Sequence, residues 1–144
     1  MRISLISFLV IVFLASCEKQ SEGIKASEIL ECSGTLNSDS SSLSTLLVGS
    51  WNWKYYSVPY TAIFNEADKS IIAEFKADKT FIVKENSTIL TQGTWSLQNN
   101  GSYSDLSTSL INEYIGGPIS ICGDKLFFRK SFFDGSDYVF VKAN

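Results

Sequence analysis

Histidine is absent from this 144-residue chain, which removes both the commonest general base and the commonest metal ligand. Three cysteines are present, Cys17, Cys32 and Cys122, and without histidine beside them they form no recognisable metal set. The sequence contains no Gly-x-Ser-x-Gly elbow, no glycine-rich phosphate loop and no calcium-type spacing of aspartates. Glu74 and Glu85 come nearest to a carboxylate pair, but they lie among lysines on neighbouring segments, so a solvated face is expected. Asp134-Gly135-Ser136-Asp137 resembles an acidic metal loop only superficially and reads as a hairpin turn. The residue types therefore predict a non-catalytic protein without a metal or cofactor.

What chemistry remains is stacking and burial. Trp53, Tyr55, Tyr56, Tyr60 and Phe64 cluster in the chain, and aromatic rings of this kind can stack on a sugar, a flat metabolite or a partner's side chain. They are the candidate ligand-binding residues. The competing account is packing, which is expected for Trp51, Trp53 and Phe75; for Tyr56 and Tyr60, which share a segment with Pro59, both accounts stay open. Residues 57–68 read as a long loop carrying Tyr60, Ile63 and Phe64, as loops that cap an opening or meet a partner often do.

These side chains need a scaffold, and the composition supplies one. Ten Phe, six Tyr and three Trp suffice for a single well-filled core. Twelve basic against fifteen acidic residues give a net charge of −3 with no basic patch, which argues against nucleic acid as a partner. Residues 18–45 are polar and serine-rich, most extremely at Asn37-Ser38-Asp39-Ser40-Ser41-Ser42, and read as a spacer. Within it, residues 26–32 can make a short helix. Leu43, Leu46 and Leu47 follow at helical spacing, with Ser42 as the expected N-cap and Gly49 as the stop.

After Gly49 the period becomes two. Trp51, Trp53 and Tyr55 alternate with Asn52 and Lys54; Ile71, Ala73 and Phe75 with Glu74 and Lys76; Phe81 and Val83 precede Lys84. Asp78-Lys79 and Asn99-Asn100-Gly101 are turn signals. Further strands are expected around Trp95, within residues 102–114, over 119–122, along 125–133 and over 137–142, with Gly116-Gly117-Pro118 and Asp134-Gly135 breaking the chain. About eight short strands joined by hairpins predict an all-β, antiparallel, up-and-down barrel preceded by a short helical turn. A two-sheet sandwich is the rival. The inward set expected is Trp51, Trp53, Ala73, Phe75, Phe81, Trp95, Leu126 and Phe128, bulky enough to leave only a small pocket or shallow groove.

Two stretches resemble known patterns. Met1-Arg2, the apolar run from Ile3 to Leu14, and Leu14-Ala15-Ser16-Cys17 are similar to the export signal and lipobox of bacterial lipoproteins. That resemblance implies a signal peptide over residues 1–16 and a lipidated Cys17, carrying acyl chains such as palmitate and tethering the chain to the cell envelope. With no acidic run after Cys17, the outer membrane is the expected address. If Cys17 carries lipid, Cys32 and Cys122 are left as a pair in an oxidising compartment, either joined by a disulfide or buried as free thiols.

The second resemblance starts at Gly49-Ser50-Trp51. Together with residues 72–81, Gly93-Thr94-Trp95-Ser96-Leu97 and the closing segment 126–140, it resembles the small lipocalin-like domains of Bacteroidetes lipoproteins over residues 46–144. The likeness implies a barrel whose first Trp is closed off by a late basic residue, for which Arg129 and Lys142 are both available. It also implies an envelope protein that binds a small apolar or amphipathic ligand, or else a structural or protein-interaction lipoprotein with a filled barrel.

Overall fold

The computed structural model describes residues 24–29, 40–61 and 63–143. In chain order these form β1 (Ile24–Lys25), α1 (Ala26–Ile29), α2 (Ser40–Leu47), β2 (Gly49–Ser57), β3 (Ile63–Glu66), β4 (Ile71–Phe75), β5 (Thr80–Glu85), β6 (Thr88–Asn99), β7 (Ser104–Thr108), β8 (Gly117–Cys122), β9 (Lys125–Phe128) and β10 (Tyr138–Lys142). A 3₁₀ turn occupies Lys130–Phe133.

Every strand pairing is antiparallel, and β4 to β10 follow one another around the sheet. β2 pairs with β10 on one edge and β4 on the other, so eight strands close into an up-and-down barrel rather than stacking as two sheets. Closure removes the free edges that a meander would otherwise expose. At one end of the barrel, β2 begins and β10 finishes, and α2 lies across it; at the far end, β2 finishes and β10 begins.

β2 outruns its partner. Its first residues, from Gly49 to Asn52, pair with β4, while Tyr55 to Ser57 pair with β3. The stretch expected as one long loop over residues 57–68 is therefore corrected: it folds back as β3, because the unpaired backbone groups at the end of β2 need partners. β1 adds to the free edge of β3, with Ile24 opposite Phe64 and Lys25 opposite Ile63. Ile29 is 3% exposed. Strand pairing thus starts at Ile24, inside the serine-rich stretch read as spacer; residues 17–23 and 30–39 lie outside the described residues, as does the apolar run from Ile3 to Leu14. Among the described residues no helix is long and apolar enough to cross a membrane.

The interior is filled from both halves of the chain. Trp51, Trp53, Ala73, Phe75, Phe81, Trp95, Leu126 and Phe128 are all buried, as expected, and Phe140, Ile119, Ile121, Leu106 and Val83 join them. Rings interlock edge to face, with Phe75–Trp95 centroids 6.0 Å apart and Phe128–Phe140 5.4 Å apart. Gly93 makes room here, since a Cβ would stand 2.3 Å from the Ser109 hydroxyl and 3.1 Å from the Phe81 ring. A second, smaller cluster lies outside the barrel wall: Ile29 and Phe64 cover Phe127 and Val139, with Tyr55 at its edge.

Two local expectations are also corrected. Ser42 is inside α2, which starts at Ser40, and so does not cap it. Residues 125–133 do not make one long strand, because β9 stops at Phe128 and the chain coils into the 3₁₀ turn. The Asp137 carboxylate enforces that coil by accepting hydrogen bonds from the Ser131 backbone N–H at 2.7 Å and hydroxyl at 3.0 Å. In the following turn Asp134 takes the left-handed conformation at φ 60°, not Gly135, whose missing Cβ instead clears the Lys130 carbonyl.

Candidate functional site

The five aromatic candidates do not converge on one site. A β-bulge separates them: Val139 pairs with Tyr55 and Phe140 with Trp53, which leaves Lys54 as an extra residue in β2. The alternation is reset there. Trp53 and Tyr56 reach the interior side, whereas Tyr55 joins Phe64 in the outer cluster. Tyr60 stands 90% exposed at the turn after β2, with φ 63°.

Trp53 and Tyr56 belong to a ring cluster that closes the far end of the barrel. Trp53 lies 5.8 Å from Tyr56, 5.2 Å from Tyr114 and 5.5 Å from Tyr138, centroid to centroid. Its indole N–H donates to the Tyr55 carbonyl at 2.9 Å. The link from β7 to β8 lays Tyr114 and Ile115 across the opening, where both are buried. Asn112 stabilises that crossing, its side-chain oxygen accepting the Tyr114 backbone N–H at 2.8 Å.

Lys130 completes the plug. Its amine stands 5.3 Å from the Tyr138 ring centroid and donates to the carbonyls of Asn112, at 3.4 Å, and Glu113. Burial pulls its pKa down to about 8, and the nearby Glu113 carboxylate opposes that only in part. Burial also raises the Tyr138 and Tyr114 phenols above their ordinary range. Tyr114, Tyr138 and Lys130 escaped the sequence reading because their partners are distant in the chain; the one available signal was an aromatic residue just ahead of Ile115-Gly116-Gly117.

Two concavities flank the plug. A cleft of about 670 Å³ opens where β3 and β4 diverge from β2, lined by Trp53, Lys54 and Tyr55 on one wall and Glu66, Asp68 and Lys69 on the other. A shallower groove of about 380 Å³, mostly apolar, runs past Ile111, Ile115, Lys130 and Phe133. The carboxylates behave as a solvated face: Glu74 pairs with Lys84 at 3.4 Å, both about one-third exposed. Among the described residues, no group of three or more acidic or cysteine side chains could hold a metal ion.

Of the two basic residues available to close off Trp51, it is Lys142 that lies over its ring, 5.2 Å from the centroid; Arg129 lies over Phe127 instead. Cys122 ends β8 on the outer wall, half-buried beside the tight turn at Gly123. Cys17 and Cys32 lie outside the described residues. No protein-family model, no curated protein and no solved structure matches this chain.

Proposed function

We propose that this chain is a non-catalytic, lipid-anchored envelope protein whose barrel is filled by its own side chains and which works through its outer surface, as a structural or protein-interaction module. The observation that carries the reading is the double closure of the barrel, by Leu43 and Leu47 of α2 at one end and by Trp53, Tyr114 and Tyr138 at the other. A lumen closed at both ends and lined by such bulky side chains leaves little room for a ligand of ordinary size. The lipobox-like residues ending in Cys17 supply the anchor, and the outer membrane is its expected place. The Gly49-Ser50-Trp51 start, the eight-stranded closure and Lys142 over Trp51 support kinship with lipocalin-like domains.

The Cys32–Cys122 disulfide belongs to the same reading. Ile29, three residues before Cys32, packs on Phe127; Phe127 pairs with Ser120, two residues before Cys122 and itself 1% exposed on the outer wall. A bond there would pin the N-terminal segment to the barrel. Intact mass after alkylation, with and without reduction, reads it directly: two thiols should appear only on reduction.

A small apolar or amphipathic ligand remains the second reading, favoured by the cleft beside Trp53 and Tyr55. Native mass spectrometry of the chain taken from its own envelope separates the two. Chain plus acyl mass alone supports the module; a further retained mass that disappears in a Tyr55→Ala variant supports the carrier.

A further inference from the structure

The exposed apolar residues of the described structure are distributed unevenly. Leu46 is the one large apolar side chain exposed at the α2 end, at 43%. At the far end, Tyr60 and Ile63 project beside the end of β2, Leu110 and Ile111 from the β7–β8 link, and Phe133 from the 3₁₀ turn, with Ile111 fully exposed. The β5–β6 hairpin adds Ile89 and Leu90 at the same end, both turned outward by a second bulge at which Val83 pairs with Thr91 and Lys84 with Ile89. Scattered single exposed hydrophobics need no explanation, but a rim of them around one end of a barrel marks a contact surface.

We infer that this rim rests on a lipid bilayer, with the α2 end pointing away from it. The inference builds on the lipid anchor proposed above. Six residues lie between Cys17 and Ile24, where β1 starts, so a lipidated Cys17 can lie no more than about 25 Å from that strand. β1 is bound to β3 with Lys25 opposite Ile63, and Ile63 is part of the rim. The leash thus joins the domain on the rim's side, and its short length leaves the rim within reach of the headgroups. Charge does not draw this end toward anionic headgroups: Lys69 and the half-buried Lys130 are outnumbered there by the exposed Glu66, Asp68, Glu113 and Asp134. The contact is apolar, made by side chains entering the boundary between headgroups and acyl chains.

Amide hydrogen exchange on the full chain purified from its envelope tests this, in vesicles of phosphatidylethanolamine and phosphatidylcholine and, for comparison, on the Cys17→Ser chain free in solution. Roughly tenfold slower exchange is expected in vesicles at residues 60–63, 88–90 and 109–112, with the α2-end turns at 76–79 and 99–103 unchanged. A lipidated Ile111→Asp, Phe133→Asp variant should stay with the vesicles and lose that protection. Slowing at the α2 end, or at neither end, overturns the inference. The mass of the N-terminal peptide decides the anchor separately. If it carries no acyl chain the anchor reading fails, and flotation of the Cys17→Ser chain then decides the rim: weak binding to neutral vesicles that survives high salt supports it, and binding only to anionic vesicles at low salt, or none, overturns it.

Discussion

The two ends of the barrel exclude water by different means. At the α2 end a regular element does the work: Leu43 and Leu47 are fully buried, and the Trp51 indole donates to the Leu47 carbonyl at 2.8 Å. The Lys142 amine donates to the Leu46 carbonyl at 3.4 Å, so the last carbonyls of the helix find donors and a positive charge together. At the far end an irregular link and a set of rings do the same work, and a half-buried lysine amine is trapped among them. A helix satisfies its own backbone and needs few polar helpers. A loop brings backbone carbonyls that must be satisfied by side chains, and here those side chains titrate. The α2 end is therefore the insulated one, while the far end is sensitive to pH and apolar on its surface.

The largest effect that would break this contrast is at the insulated end. Trp51→Ala removes the ring on which α2 and Lys142 both rest, and should cost about 3–5 kcal/mol in chemical denaturation. At the far end the 3₁₀ turn hangs on Asp137, whose backbone N–H also donates to the Ser57 hydroxyl at 2.7 Å. Asp137→Ala strands the Ser131 donors and should cost about 1–3 kcal/mol, with β9 and β10 loosening first in hydrogen exchange.

Lys130 sharpens the contrast through pH. The folded state holds its amine at about 8 against an ordinary 10.5, so between those values the unfolded chain binds more protons and stability rises with pH. The raised phenols of Tyr114 and Tyr138 act oppositely once the pH passes their ordinary 10.0, which confines the gain to roughly pH 8–10. Denaturation midpoints should therefore climb from pH 8 to 10 in the wild type. Lys130→Met should flatten that climb and raise stability at pH 7 by about 1 kcal/mol, the amine's partial exposure reducing the gain. The smallest effect belongs to the rim: Ile111 is fully exposed, so Ile111→Ser should shift stability by less than about 0.5 kcal/mol while weakening contact with vesicles.

Much of the scaffold could be read directly from the chain. Period-two runs placed β2, β4 and β5, strand-like segments bounded by turn residues placed β6 and β10, and turn residues at Asp78-Lys79 and Asn99-Asn100-Gly101 placed hairpins where the backbone indeed reverses, with Lys79 at φ 67° and Gly101 at φ 80°. Leu43 and Leu47 marked the helix, and all eight residues expected inside the barrel are there. Such features depend on local alternation and on the backbone angles that single residues tolerate, and neighbours in sequence suffice to reveal them.

The tertiary structure decided the rest. Tyr55 faces outward although its alternation with Trp53 says inward, because the bulge at Lys54 is set by pairing with β10, more than eighty residues away. Residues 63–66 form a strand because β2 outruns β4, a difference in lengths that exists only after closure. Lys142 and not Arg129 covers Trp51 because antiparallel register puts Lys142 opposite Trp51, and the far-end plug unites Trp53, Tyr114, Lys130 and Tyr138 for the same reason. Local sequence fixes which side chains can share a face of a strand. Only the register and closure of the whole sheet fix which faces meet, since those depend on pairings between residues far apart in the chain.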